Sequence, residues 1–182
     1  MNIPEIFKDN KILPVITVKD VNDAHRIADH LLQNKISIIE VTLRTDVALE
    51  AIKLLTRRGD ITVGAGTVTS EEKFKKTVDA GAEFFVSPGI SSKLTSYAKK
   101  NNLPFLPGVA TPSETLQALD AGFNYLKFFP AEAAGGIKML KSLAPVFPAA
   151  KFCPTGGLNE KNYKDYLSLE NVFAAGGSWV SI

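Results

Sequence analysis

Two rhythms of apolar and polar positions take turns along this chain. Ile12-Leu13-Pro14-Val15-Ile16-Thr17-Val18 is a short apolar run of strand length. Beyond Asp20, a candidate helix cap, Val21, Ala24, Ile27, Ala28, Leu31 and Leu32 fall at helical spacing. The pair of patterns then repeats. Strands are predicted over Ser37 to Leu43, Ile61 to Thr67, Phe84 to Pro88, Pro104 to Val109, Tyr125 to Phe129, Lys151 to Thr155 and Asn171 to Ala175. Helices are predicted between them, with Asp46, Ser70, Thr111 and Asn159 at their starts and Gly59, Gly81 and Gly122 at their ends. Thr111-Pro112-Ser113-Glu114 is a complete capping box with proline at the first helical position. Asn2 to Asn10 reads as a short lead-in helix.

Strand starts recur roughly every 20–26 residues, each followed by a helix, which is the βα unit of parallel sheets. Eight such strands predict one domain over residues 1–182, an α/β fold of the (β/α)8 TIM-barrel kind. The chain is compact against the usual barrel length of about 250 residues. It ends at Ile182, before a full eighth helix, so that the last helix is expected to be missing. An open doubly wound sheet is the alternative, but no G-x-G-x-x-G turn follows the first strand.

Composition narrows the function. With 45% hydrophobic and 22% charged residues the chain resembles ordinary globular proteins, and a net charge of +2 gives no argument for nucleic acid or a membrane surface as partner. No apolar run reaches the ~18 residues of a membrane span, and no signal peptide is visible, so the cytoplasm is the expected compartment. The single cysteine, Cys153, excludes an internal disulfide. His25 and His30, five residues apart, suit no shared metal, and no His/Cys/Asp cluster suggests one.

The chemistry starts at Tyr125-Leu126-Lys127-Phe128-Phe129-Pro130-Ala131, where a lysine stands inside an apolar strand. Lysine is rarely buried without a partner, and a neutral amine in a dry pocket is a nucleophile toward carbonyls. A lysine snorkelling from an edge strand is the plainer alternative. Strand alternation puts Tyr125, Lys127 and Phe129 on one face, and Glu40, Thr42 and Arg44 on one face of the second strand. Glu40 and Arg44 fit either chemistry or a structural ion pair. Thr67 is expected to share a face with Val63 and Ala65, while Pro88 and Thr155 end their strands. Barrel active sites lie at the carboxyl ends of the strands. Gly156-Gly157 and Gly176-Gly177-Ser178 follow the last two strands, where barrels commonly bind phosphate through backbone N–H groups.

Together, Glu40-Val41-Thr42-Leu43-Arg44-Thr45, Gly64-Ala65-Gly66-Thr67-Val68, Ser87-Pro88-Gly89, Pro107 to Glu114, Tyr125 to Ala131 and Phe152-Cys153-Pro154-Thr155-Gly156-Gly157 resemble the 2-keto-3-deoxy-6-phosphogluconate (KDPG) / 4-hydroxy-2-oxoglutarate (KHG) aldolases. The resemblance runs from the first strand to Ser178. It implies a class I, Schiff-base carbon–carbon lyase that is cytoplasmic, homotrimeric, free of metal and cofactor, and acts on a small 2-keto acid. By motif position, Lys127 is implied as the imine-forming lysine and Glu40 as the general acid/base. Arg44, Thr67, Pro88 and Phe129 are implied at the pyruvyl end, with Thr155 counted among the substrate-facing residues. Gly156, Gly157, Gly177 and Ser178 are implied at the phosphate. Two other readings stay open: a sugar-phosphate isomerase or synthase barrel without a covalent lysine, and a non-catalytic barrel.

Overall fold

The structure, a computed structural model, describes residues 2–180. The expectation about the chain's end at Ile182 lies outside the described residues. Helices and strands follow in the order α1 (Ile3–Ile6), β1 (Ile12–Ile16), α2 (Asp23–Gln33), β2 (Ile38–Thr42), α3 (Ala48–Thr56), β3 (Thr62–Gly66), α4 (Glu71–Asp79), β4 (Phe84–Val86) and α5 (Ser92–Lys100). The second half continues with β5 (Phe105–Leu106), β6 (Gly108–Val109), α6 (Pro112–Asp120), β7 (Tyr125–Phe128), α7 (Gly136–Leu143), β8 (Lys151–Pro154), α8 (Tyr163–Leu167) and β9 (Ala175–Gly177).

Every strand pair is parallel, in a six-stranded sheet ordered β5-β4-β3-β2-β1-β9 and a three-stranded sheet ordered β6-β7-β8. The eight expected strands are thus nine short ones in two sheets. The fifth is broken at Pro107, which has no N–H to give to a ladder. The eighth forms later than the pattern suggests. The Val172 N–H turns back to Leu169 (3.0 Å), and residues 171–173 meet β8 only at Phe152, so the ladder with β1 starts at Ala175. Isolated bridges Phe152–Val172 and Thr155–Gly176 connect β8 to the last segment. The result is an α/β fold whose parallel sheet curls around an interior.

The capping box at Thr111 forms with both reciprocal hydrogen bonds, and Ser70 accepts from the Lys73 N–H at the start of α4. Other helix starts differ from the sequence pattern. Asp20 spends its carboxylate on the Asn22 N–H (2.9 Å) in a turn before α2, so that helix opens at Asp23. Val47 precedes α3 without a side-chain cap, in place of Asp46. Asn162, not Asn159, borders α8. The lead-in helix shrinks to α1, capped by Asn2 and Glu5.

Alternation divides the side chains. Ile39, Val41, Val63 and Ala65 pack outward against the helices, and Leu126 and Phe128 do the same on β7. Leu13, Ile38, Phe84, Val86, Leu106 and Cys153 point inward and meet Ile3, Ile6 and Phe7 from α1. Phe7 packs edge-on against Phe84 (5.6 Å) and Phe173 (5.2 Å), and Phe173 against Tyr125 (5.1 Å). This aromatic floor seals one end of the interior and leaves the other for polar groups.

Candidate active site

Inward positions above the floor carry the unusual residues. On β2, Ile38 is followed inward by Glu40 and then Thr42; on β7, Tyr125 is followed by Lys127. Lys127 aligns with Gly108 on one side and Cys153 on the other, two small neighbours that leave room for a long side chain. Its amine donates to Glu40 Oε1 at 3.3 Å. Lys127 is 6% exposed and Glu40 0%. The pair is therefore dry, and an opposite charge at this distance acts with little screening.

Two further details concern the Glu40 carboxylate. Oε2 of Glu40 is buried and makes no hydrogen bond within the protein among the described residues. A buried carboxylate oxygen without a partner is costly in a purely structural role. In addition, the Glu40 carboxyl occupies the space that a Cβ on Gly66 would take, so only glycine at 66 lets this side chain sit where it does.

Above the pair is a cavity of about 520 Å³, within the range of small-molecule sites. It lies at the carboxyl ends of β1, β2, β7, β8 and β9, and brings together Arg44, Phe129, Thr155, Gly156, Gly157, Gly177 and Ser178. The Phe129 ring centre is 5.3 Å from the Lys127 amine, which links the amine to the cavity wall. Lys127, Glu40, Pro88 and Thr67 are not themselves among the lining residues. Pro88 packs its backbone against Gly108, the strand neighbour of Lys127. Thr67 does not continue the face of Val63 and Ala65. It sits just past β3 with φ of 61°, a left-handed conformation that breaks the alternation and that a β-branched residue adopts only under constraint.

Thr17, Lys19, Asp23 and Arg26 line the same cavity and were not singled out from the sequence. Lys19 follows the end of β1, so the strand-end rule could have found it. Arg26 and Asp23 sit on α2, pair with each other at 2.9 Å, and look like any solvated helix face in sequence. Three cations, Lys19, Arg26 and Arg44, against one carboxylate suit an anionic ligand.

The loop after β8 adds to this. Gly156 and Gly157 have φ of 101° and 86°. The Gly156 carbonyl accepts from the Glu132 N–H (3.1 Å), and the Gly157 carbonyl from the amides of Asn162 (3.2 Å) and Asn159 (3.4 Å). Both carbonyls are thus engaged within the protein. The Gly156 N–H faces Gly176 across the Thr155–Gly176 bridge, while the Gly157 N–H donates to nothing in the protein among the described residues. A free amide on a glycine turn at the cavity wall is a donor for an anion. Among the described residues, no group of three His, Cys, Asp or Glu side chains is placed to hold a metal ion. Among the described residues, no helix is long and apolar enough to cross a membrane.

A buried amine held by a carboxylate, beside a basic cavity, is an arrangement that fits lyases of the class I aldolase type, which work through a Schiff base to a lysine. Comparison with known proteins makes the assignment specific. A family model described as "Aldolase: KDPG and KHG aldolase" matches residues 3–182. The 2-dehydro-3-deoxy-phosphogluconate aldolase of Pseudoalteromonas atlantica is 43% identical over 178 residues, 97% of this chain and 83% of that protein. The KHG/KDPG aldolase of Escherichia coli is 40% identical over 176 residues, 96% of this chain and 83% of that protein. A crystal structure of KDPG aldolase from Legionella pneumophila, with pyruvate captured as a covalent carbinolamine intermediate, superposes with a TM-score of 0.93. It is 48% identical over 96% of this chain and 85% of that one. The chain belongs to the KDPG and KHG aldolase family and is a class I, Schiff-base carbon–carbon lyase.

Proposed function

We propose that Lys127 is the imine-forming residue, Glu40 its acid/base partner, and a 2-keto-4-hydroxy acid the substrate. The observation that carries this reading is the buried 3.3 Å contact between Lys127 Nζ and Glu40 Oε1. Passing one proton from Nζ to the carboxylate leaves a neutral amine beside a carboxylic acid. The amine adds to the C2 ketone, and Glu40 protonates the departing carbinolamine hydroxyl, so water leaves and an iminium ion remains. Glu40, again a carboxylate, takes the proton of the C4 hydroxyl. The C3–C4 electrons flow into the iminium, giving a neutral enamine and an aldehyde. Protonation at C3 and hydrolysis of the imine release pyruvate and regenerate the amine. Oε2 of Glu40 has an acceptor position open for the proton in transit.

Arg44 holds the substrate carboxylate by charge-assisted hydrogen bonds, with Thr67, Pro88, Phe129 and Thr155 shaping the pyruvyl end. Gly156, Gly157, Gly177 and Ser178 take the phosphate. The unengaged Gly157 amide and the three cations of the cavity favour the phosphorylated sugar acid, which gives glyceraldehyde 3-phosphate, over the smaller acid that gives glyoxylate. The sheet is read as a closed (β/α)8 barrel. The step from β5 to β6 across Pro107 and the bridges between β8 and the last segment support closure. A cytoplasmic homotrimer of one-domain chains, needing neither metal nor organic cofactor and serving the Entner–Doudoroff pathway, completes the reading.

The test is borohydride reduction in the presence of pyruvate, followed by peptide mass mapping. A reduced pyruvyl adduct is expected on Lys127 and is absent in Lys127→Ala. No adduct in a folded sample, or an adduct on another lysine, overturns the assignment.

A further inference from the structure

Behind the glycine loop lies a polar contact that the reaction does not use. Tyr166, on α8, is fully buried, and its hydroxyl donates to Glu132 Oε1. Burial, with the neighbouring carboxylate, pushes this phenol above its ordinary range, so it stays a donor. Glu132 stands in the turn between β7 and α7 and is exposed on its outer side.

This turn grips the loop at three points. The Ala131 N–H donates to the Thr155 carbonyl (2.8 Å) and the Glu132 N–H to the Gly156 carbonyl (3.1 Å). The Cβ and Cγ of Glu132 fill the space beside Gly157 where any Cβ would stand. On the other side of the pair, Gly136 at the start of α7 lies under the Tyr166 hydroxyl and the Glu132 carboxyl, with no room for a side chain. The hydroxyl of Tyr166 therefore ties one carboxylate to a fixed place against α8, next to a loop that lines the cavity.

We propose that Tyr166 and Glu132 form a positioning pair for the anion-binding loop. Tyr166 holds the Glu132 carboxylate away from the bound phosphate, and Glu132 in turn wedges Gly156 and Gly157 in the conformation that presents the Gly157 amide. The inference rests on the reading of that loop as the phosphate site. A carboxylate freed beside the loop would face the phosphate as a like charge. The pair thus tunes the preference for a phosphorylated over an unphosphorylated 2-keto-4-hydroxy acid without touching either substrate.

The test compares KM and kcat for KDPG and for 4-hydroxy-2-oxoglutarate, with inorganic phosphate as competing probe. Tyr166→Phe is expected to raise KM for KDPG and the phosphate inhibition constant about tenfold, the size of one hydrogen bond to a charged group. In that variant kcat and the KM for 4-hydroxy-2-oxoglutarate hold. Glu132→Asp, at an exposed position where folding is not at stake, keeps the charge but shortens the reach to Tyr166 and gives the same split. Adding Glu132→Gln to Tyr166→Phe removes the freed charge and restores most of the phosphate affinity, which a merely structural role would not do. Equal changes for both substrates, unchanged phosphate inhibition in both single variants, or no recovery in the double variant overturns the pair's role. If phosphate fails to compete even in the unmodified protein, the anion-site reading itself falls, and the pair's role with it.

Discussion

Gly66→Ala probes the site without touching a reacting group. An alanine Cβ at this position would lie 2.7 Å from both Cγ and Cδ of Glu40 and still nearer to Oε1. Carbon atoms rest at about 3.5–4.0 Å, so the Glu40 carboxyl must retreat by roughly 1 Å. It has nowhere free to go, since Glu40 is fully buried and its Oε1 holds the Lys127 amine at 3.3 Å. The retreat stretches that contact and carries Oε2 away from the path of the substrate proton. A misplacement of about 1 Å at a catalytic group costs about 10²-fold in rate. Losing the acid/base function outright would cost about 10²–10⁴-fold. The expected result is a kcat about 10²-fold lower, with KM for the phosphorylated substrate changed little because the glycine loop is remote from the overlap. Pyruvate release coupled to lactate dehydrogenase measures both constants, and circular dichroism confirms the fold. A folded variant with kcat within about threefold of the parent would refute the placement of Glu40 as the moving acid and base.

Two further outcomes follow from the packing. Burial pushes the Cys153 thiol up to about 12, opposed in part by the Lys127 charge, so it stays protonated and unreactive at neutral pH. Maleimide at pH 8 should leave native protein unlabelled and label it fully in guanidinium; rapid native labelling would contradict the burial. Because the folded thiol titrates above the unfolded one (about 8.5), its contribution to stability is intact below that pH and is lost as pH rises toward 12. Thr111→Ala removes the side-chain acceptor for the Glu114 N–H at the start of α6 and should cost about 1 kcal/mol in urea unfolding with kcat unchanged; a loss below about 0.2 kcal/mol would show the box to be redundant.

The two catalytic candidates were legible because alternation along a strand is a strong constraint. Once β2 and β7 are strands, Glu40 and Lys127 share faces with Ile38 and Tyr125, and the faces that pack outward are visibly apolar. The strand-end rule pointed to the two glycine loops, and the structure places Gly156, Gly157, Gly177 and Ser178 along one cavity. What failed was local. Thr67 lies beyond the last ladder residue of β3, and its left-handed backbone breaks the period on which its predicted face depended. Pro107 divides a strand that hydropathy reads as continuous. Asp20, Asp46 and Asn159 have cap chemistry, but side-chain hydrogen bonds with neighbours or a shifted helix start take them out of that role. Arg26 and the Tyr166–Glu132 contact were invisible because each depends on how an outer helix packs against the sheet ends, which no single-strand pattern encodes.

The interior shows why such positions resist simple rules. Its lower half is closed by Phe7, Phe84, Tyr125 and Phe173, apolar or aromatic groups in ordinary edge-on packing. Its upper half gathers several unfavourable features: a dry ion pair, a carboxylate oxygen without a partner, a strained threonine and a loop with an unengaged amide. Replacing a buried ion pair by well-packed apolar residues is often neutral or stabilising, by about 1–4 kcal/mol, so stability alone gives no reason for Lys127 and Glu40 to be where they are. A substrate does. In the proposed reaction its carbonyl takes up the amine, its hydroxyl meets the open carboxylate oxygen, and its anionic ends meet the cations and the Gly157 amide. The costly groups are then the ones the proposed chemistry uses, and the aromatic floor supplies the packing that carries them.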